Sequence, residues 1–427
     1  MKKRFLFAST LLAILSTGFL FTSCDDDDDD DNNQNVRRTI TFENVTTVKD
    51  FVQSGTFEGE DNSPLIQPGQ QIQIKFNAGK GQALSFATMY GNSKDLFFAP
   101  VNPGIMLYDN NGNAITGDVS SQVKLWDNGT IINSNPANPA TGQTTGTEDK
   151  NVTEIAGSDG TYNYPAASDM MKLTLTYDVS KSEFTLTILN NTNNTTVQTP
   201  FSPGVWAVSN ILGGELENDA PFYKPAHKTT TELTALSTMG NNQPFYNMLE
   251  TNTDIITGIS PVLIVIYTGD RNPIFQVNEK DGGIGLKNLA QTGDASILKA
   301  SLEKEKIVRQ VYILGTSPVA PGSKVEETFE ANSNEKIAFA TMFGYSNDWF
   351  FANNSSIDAL STGDKTGMVS LYDNGTALSQ YPGAGNAQAG FSNRPIIEDQ
   401  VIKIVDQQTY PDFPVPAVNQ MLKVTIK

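Results

Sequence analysis

The residues best equipped to hold a ligand are four aspartates at matched places in two copies of one pattern. In one copy, Phe339-Ala340-Thr341-Met342-Phe343-Gly344-Tyr345-Ser346-Asn347-Asp348-Trp349-Phe350-Phe351-Ala352 is followed by Leu371-Tyr372-Asp373-Asn374-Gly375-Thr376. In the other, Phe86-Ala87-Thr88-Met89-Tyr90-Gly91-Asn92-Ser93-Lys94-Asp95-Leu96-Phe97-Phe98-Ala99 is followed by Leu125-Trp126-Asp127-Asn128-Gly129-Thr130. Each copy offers a carboxylate in a polar loop and a second one at the end of a later strand. Two carboxylates, helped by backbone carbonyls, Asn347 or Asn374, and water, suit a hard cation. Hard cations take about six to eight oxygens, and few carboxylates mean weak binding. The competing reading is an Asp-Asn-Gly-Thr β-turn whose aspartate caps its own backbone, with Asp348 a solvated loop residue.

The elements that must position these acids read as strands. Arg38 to Val45 alternates polar and apolar residues, the period of a half-buried strand, and further strands are expected at Gln71 to Phe76, Ala83 to Met89 and Val123 to Trp126. Pro68-Gly69 and Asn111-Gly112 punctuate them. Met171 to Tyr177 and Glu183 to Leu189 form a hairpin, taken as the join between two units. The middle third carries its own repeat. Ser202-Pro203 and Ser260-Pro261 each open an apolar strand, and each strand leads to leucines at helical spacing interrupted by Gly240 or Gly293. From Val311 the first pattern returns, and Leu422 to Ile426 answers Met171 to Leu175. The expected fold is mostly β, with two antiparallel sandwich units over residues 36–180 and 181–427. Short helices lie in the second, in a duplicated half at 201–250 and 259–303.

The N-terminus reads as an address. Met1-Lys2-Lys3-Arg4 and the apolar run to Phe21 predict a signal peptide over residues 1–23, and small residues before the only cysteine, Cys24, predict a lipoprotein cleavage and lipidation site. Asp25 to Asp31 cannot pack and form, with the residues to Asn35, a solvated tether over residues 24–35. An acidic run behind a lipidated cysteine resembles the surface-export signal of Bacteroidetes-type lipoproteins. The expectation is an outer-membrane lipoprotein held by its lipid and exposed on the cell surface; a spacer on a periplasm-facing lipoprotein is the alternative.

Composition and charge exclude several classes. The formal net charge is -18; losing Lys2, Lys3 and Arg4 with the signal makes it -21, and setting aside seven tether aspartates leaves -14 on the folded part. A nucleic-acid surface would need a basic excess. With one histidine, His227, in a turn-like stretch without a nucleophile motif, neither a Ser-His-Asp arrangement nor a histidine-cysteine zinc site can be assembled. Nothing marks a pair of glycosidase carboxylates, so the expectation is a protein that is not an enzyme.

The order Ser-Pro strand, Gly285-Leu286-x-x-Leu289-Ala290-x-x-Gly293-Asp294 helix, Pro321-Gly322 strand, Asn347-Asp348-Trp349-Phe350 and Asp373-Asn374-Gly375-Thr376 resembles the spondin N-terminal domain family. The likeness covers about Glu183 to Lys427, with Val36 to Leu175 resembling a second copy that lacks the helix-bearing half. The resemblance implies a C2-like sandwich with a calcium ion between loops, held by Asp348 and Asp373 and, in the first copy, by Asp95 and Asp127. The acid that usually ends the turn is replaced by Ala377 and Ile131, and the acidic pair of the helix motif by Gln291-Thr292 and Thr238-Met239. A glycan, matrix component or protein is the implied ligand; an outer-membrane carbohydrate-processing accessory protein or unrecognised hydrolase is the alternative.

Overall fold

The computed structural model describes residues 36–60, 63–137 and 146–427. The expected signal segment, the lipidation residue Cys24 and the acidic tether lie outside the described residues.

Two textures of strand build two kinds of sheet. Val262–Tyr267 and Ala83–Met89 are buried at every position, the mark of strands covered on both faces. Gln71–Asn77 and Glu183–Asn190 alternate between buried and more exposed residues, so only one of their faces meets the core. Accordingly, each half of the molecule stacks a four-stranded sheet, a seven-stranded sheet and a pair of short helices. All pairings between the named strands are antiparallel, and the fold is mostly β, as expected.

In the first sandwich, Phe51–Phe57, Gly204–Ser209, Ala83–Met89, Leu96–Pro100 and Val123–Asp127 lie side by side in the larger sheet. The smaller sheet has Glu183–Asn190 between Gln71–Asn77 and Met171–Asp178. In the second sandwich the same places are taken by Val308–Leu314, Val262–Tyr267, Lys336–Met342, Trp349–Asn353 and Val369–Asp373. Its smaller sheet has Val36–Asn44 between Lys324–Ala331 and Leu422–Ile426. Phe42 from the small sheet meets Phe339 of the large one edge-on, with ring centroids 4.9 Å apart.

This pairing corrects the expected division at residue 180/181. The opening strand Val36–Asn44, placed by sequence in the first unit, completes the second sandwich. Gly204–Ser209 and its helices, placed in the second unit, belong to the first sandwich. Each sandwich therefore owns one helix-bearing half, and the first does not lack it. The hairpin Met171–Asp178/Glu183–Asn190 forms where expected, but it lies wholly inside the first sandwich. Alternation along a strand reveals that one face is buried; it does not reveal which neighbour the strand joins, and here the repeats are interleaved along the chain.

The leucine stripes form the helices Thr231–Met239 with Gln243–Thr251, and Leu286–Thr292 with Ser296–Leu302. Thr230 caps the first of them, its Oγ1 accepting from Leu233 N at 3.2 Å. Gly240 and Gly293 end the leading helix of each pair with φ of +66° and +76°, where only glycine is unstrained. A Cβ there would also sit 3.0 Å from the Cβ of Ser202 or Ser260. Leu233, Leu236, Phe245 and Leu249 close the outer face of the first large sheet, and Leu286, Leu289, Leu298 and Leu302 that of the second.

Residues from 36 onward form one compact unit. The halves are joined by the segment around Gly383 to Phe391. Gln380 Nε2 donates to Val179 O and Ser180 O, Gln82 Nε2 donates to Gly383 O at 3.0 Å, and Phe391 lies over Gly79.

Candidate functional site

Strand register brings the four aspartates together in pairs. Leu96 stands across from Asp127 and Trp349 across from Asp373, so Asp95 and Asp348, one residue earlier, arrive beside their partners. Asp95 Oδ2 accepts from Thr130 N at 2.7 Å, Thr130 Oγ1 at 2.9 Å and Ile131 N at 2.9 Å. Asp348 Oδ2 accepts the same set: Thr376 N at 2.7 Å, Thr376 Oγ1 at 2.9 Å and Ala377 N at 2.9 Å. Asp127 Oδ1 and Asp373 Oδ1 cap their own turns through Gly129 N at 2.8 Å and Gly375 N at 2.7 Å.

The expectation of a self-capped turn is met in part. The Asp-x-Gly-Thr stretch is a self-capped turn, yet Asp348 is no solvated loop residue. Asp95, Asp348 and Asp373 are fully buried, and Asp127 is 8% exposed. The acids lie beneath the surface. The neighbouring aromatics are buried too: Phe97, Phe98, Phe350 and Phe351 are fully covered and Trp349 nearly so. One ring of each pair faces the opposite sheet and the other faces the helices.

Each turn has a third acid that sequence reasoning missed. Glu148 N donates to Thr130 O at 2.9 Å, and Glu398 N donates to Thr376 O at 3.3 Å. These glutamates come back in space to the turns whose own last positions, Ile131 and Ala377, lack a carboxylate. The signal was available, for both copies carry Glu-Asp at the matching place, Glu148-Asp149 and Glu398-Asp399. The helices also reach the turns: Gln291 Nε2 donates to Thr376 Oγ1 at 3.0 Å, and Asn128 Nδ2 donates to Thr234 Oγ1 at 3.2 Å.

Crowding acids out of water disfavours their charge. Burial raises the Asp95 carboxyl above its ordinary value, with the Asp127 charge adding to it against three hydrogen bonds. Burial likewise raises Asp127, opposed by hydrogen bonds from Gly129 and Asn133 and by the Lys150 charge, and reinforced by Glu148. Asp348 is pushed furthest, to about 8, by burial first and the Asp373 charge second. Among the described residues, Asp95 Oδ1, Asp348 Oδ1, Asn133 Oδ1, Asn374 Oδ1 and Glu148 Oε1 are buried and accept no hydrogen bond. A buried acceptor left so costs about 1–3 kcal/mol, more when charged.

A hard cation or a proton would relieve these oxygens, and the donor set of carboxylates and amide oxygens fits calcium in kind. Among the described residues no group of three or more His, Cys, Asp or Glu side chains is arranged to hold a metal ion. Any site would draw on neutral oxygens. His227 is exposed, with Nδ1 3.0 Å from Pro225 O. A groove of about 900 Å³ runs between Leu212 and Gly214 of the first half and Ile259, Pro318 and Tyr345 of the second.

In comparisons with known proteins, no family model matches the chain and no curated protein is similar to it. The likeness to the spondin N-terminal family rests on the motifs quoted above.

Proposed function

We propose that this chain is a non-catalytic, surface-displayed lipoprotein of two spondin-like sandwiches that adheres to a glycan, matrix component or protein, with turns stiffened by weakly bound calcium. The observation that carries the reading is the pair of equivalent turns. In each, a fully buried aspartate ties down the turn through one oxygen and leaves the other without a donor. That is an economical way to make loop geometry depend on a bound cation. The groove of about 900 Å³ between the halves is a concave, glycine-lined surface of ligand-binding size. Cys24 would supply the membrane attachment, and an acidic folded part suits neither nucleic acid nor anionic lipid.

The test is binding of the tether-deleted protein to a glycan array and to matrix proteins, in calcium and in chelator. Calcium-dependent retention that Leu212→Arg in the groove weakens supports the reading. Turnover of a polysaccharide would replace it with the carbohydrate-processing alternative.

A further inference from the structure

The two copies differ at the strand position paired with the aspartate that opens each turn. Thr153 stands across the sheet from Asp127, and Lys403 stands at the same register across from Asp373. Lys403 Nζ lies 3.7 Å from Asp373 Oδ2 and 4.9 Å above the Tyr410 ring, and Tyr410 Oη donates to the same carboxylate oxygen. Asp373 is thus fully engaged, by Gly375 N on Oδ1 and by Tyr410 and Lys403 on Oδ2. Glu398 is the remaining acid beside it. A cation entering there would meet an ammonium, and would find Asp348 Oδ1 and Asn374 Oδ1 as the donor-free oxygens.

The first copy is arranged otherwise. Asp127 Oδ2 accepts only from the neutral Asn133 amide, at 2.8 Å. The nearby lysine, Lys150, bonds Glu148 Oε2 at 2.6 Å, keeps 69% of its side chain in solvent and reaches Asp127 only through space, as the weakest of the influences on that carboxyl, without an ion-pair contact. Tyr164, which packs on Tyr90, donates to Asp159 instead of Asp127. Fully buried Asp95 Oδ1, with Asn133 Oδ1 and Glu148 Oε1, is left as an acceptor without a donor.

We propose that only the first copy's turn takes a divalent cation, and that Lys403 serves as the built-in positive charge of the second. The proposal rests on the calcium reading given above and narrows it to one site. Like charges repel, and an ammonium stands 3.7 Å from Asp373, whereas the threonine at that register beside Asp127 carries no charge.

The test is calorimetric calcium titration of the full chain and a reciprocal swap of the two register positions. The seven tether aspartates contribute alike to every variant, so sites are counted as differences from Asp95→Asn. The wild type should show one saturable site, absent in Asp95→Asn and in Thr153→Lys. Lys403→Thr, alone or with Tyr410→Phe, should gain a second site that Asp348→Asn removes. Residue 153 is exposed and residue 403 half-buried, and an unchanged circular dichroism spectrum confirms folding of each variant. Two wild-type sites, one lost with Asp95→Asn and one with Asp348→Asn, would overturn the asymmetry and leave the calcium reading standing. Failure of Lys403→Thr and its double variant to gain a site would overturn the role of Lys403. No saturable site in any variant would remove both readings.

Discussion

Asn44 does in the second sandwich what Asn190 does in the first. Asn44 Nδ2 donates to Thr257 O and Val319 O, each at 2.9 Å, and Oδ1 accepts from Thr46 N. Asn190 Nδ2 donates to Thr199 O at 2.9 Å and Ile66 O at 2.8 Å, and Oδ1 accepts from Thr192 N. Both are fully buried. The equivalence identifies Val36–Asn44 as the counterpart of Glu183–Asn190, although the first is the opening strand of the fold and the second lies mid-chain.

Asn44→Ala should therefore damage the C-terminal part of the chain. It orphans the Thr257 carbonyl and the Thr46 amide and leaves Val319 O with only its bond from Ile259 N, for about 2–4 kcal/mol at about 1–3 kcal/mol per unmet group, partly relieved by water. Hydrogen exchange should speed up in Lys324–Ala331 and Leu422–Ile426, its two flanking strands, before Phe51–Phe57. Faster exchange in Phe51–Phe57 first would contradict the pairing.

Substitution of Asp95 separates support of the turn from charge. Asp95→Ala removes the acceptor of three hydrogen bonds and should lower stability in chelator by about 2–4 kcal/mol. Asp95→Asn keeps an acceptor for the turn and removes the buried charge, so in chelator it should match or exceed the wild type. Chemical denaturation in chelator reads both; equal losses would mean that the negative charge itself holds the turn.

Stability should fall as pH rises through neutrality. The Asp348 carboxyl, raised to about 8 in the folded protein, binds a proton that the unfolded chain has already released above its ordinary value near 4. Between these values the folded state holds more protons, so its stability is greatest at the acid end and declines toward pH 8. Asp348→Asn should flatten this slope. Denaturation midpoints at pH 5.5 and about 8.5 in chelator test it, and a steeper decline in the variant would refute the assignment.

Docking of the halves should respond to Gly79. A Cβ there would lie 2.3 Å from Phe391 Cδ1, so Gly79→Ala must displace the ring that joins the second half to the first. Overpacking of this kind costs about 1–3 kcal/mol. The expected signature is a single melting transition that broadens or splits in the variant, read by calorimetry; an unchanged profile would show that the ring contributes nothing to the docking.

Much of this architecture was legible in residue order. Periodicity located the strands, and the glycine interruptions located the breaks between paired helices at Gly240 and Gly293. Duplication of Asp95 with Asp127 and of Asp348 with Asp373 announced the turns. The ownership of the opening strand was not legible, because Ile40 and Phe42 would bury equally well under either large sheet. Burial of the four acids was hidden for a related reason. Asp348 reads as a loop residue until the returning segment with Glu398 closes over its turn. Lys403 carried no motif at all, and its weight comes from the strand register opposite Asp373.

The central place of Val36–Asn44 between two strands from the last third of the chain sets synthesis against folding. The named strands and helices of the first sandwich all lie between Phe51 and Thr251, so they can pair while later residues are still being made. The second sandwich cannot: Thr39 and Lys427 exchange backbone hydrogen bonds, each 2.9 Å long. Contacts this far apart in sequence close slowly. The earliest strand of the fold must therefore wait unpaired until Leu422–Ile426 arrives to clasp it, and the clasp locks strands nearly four hundred residues apart into one sheet.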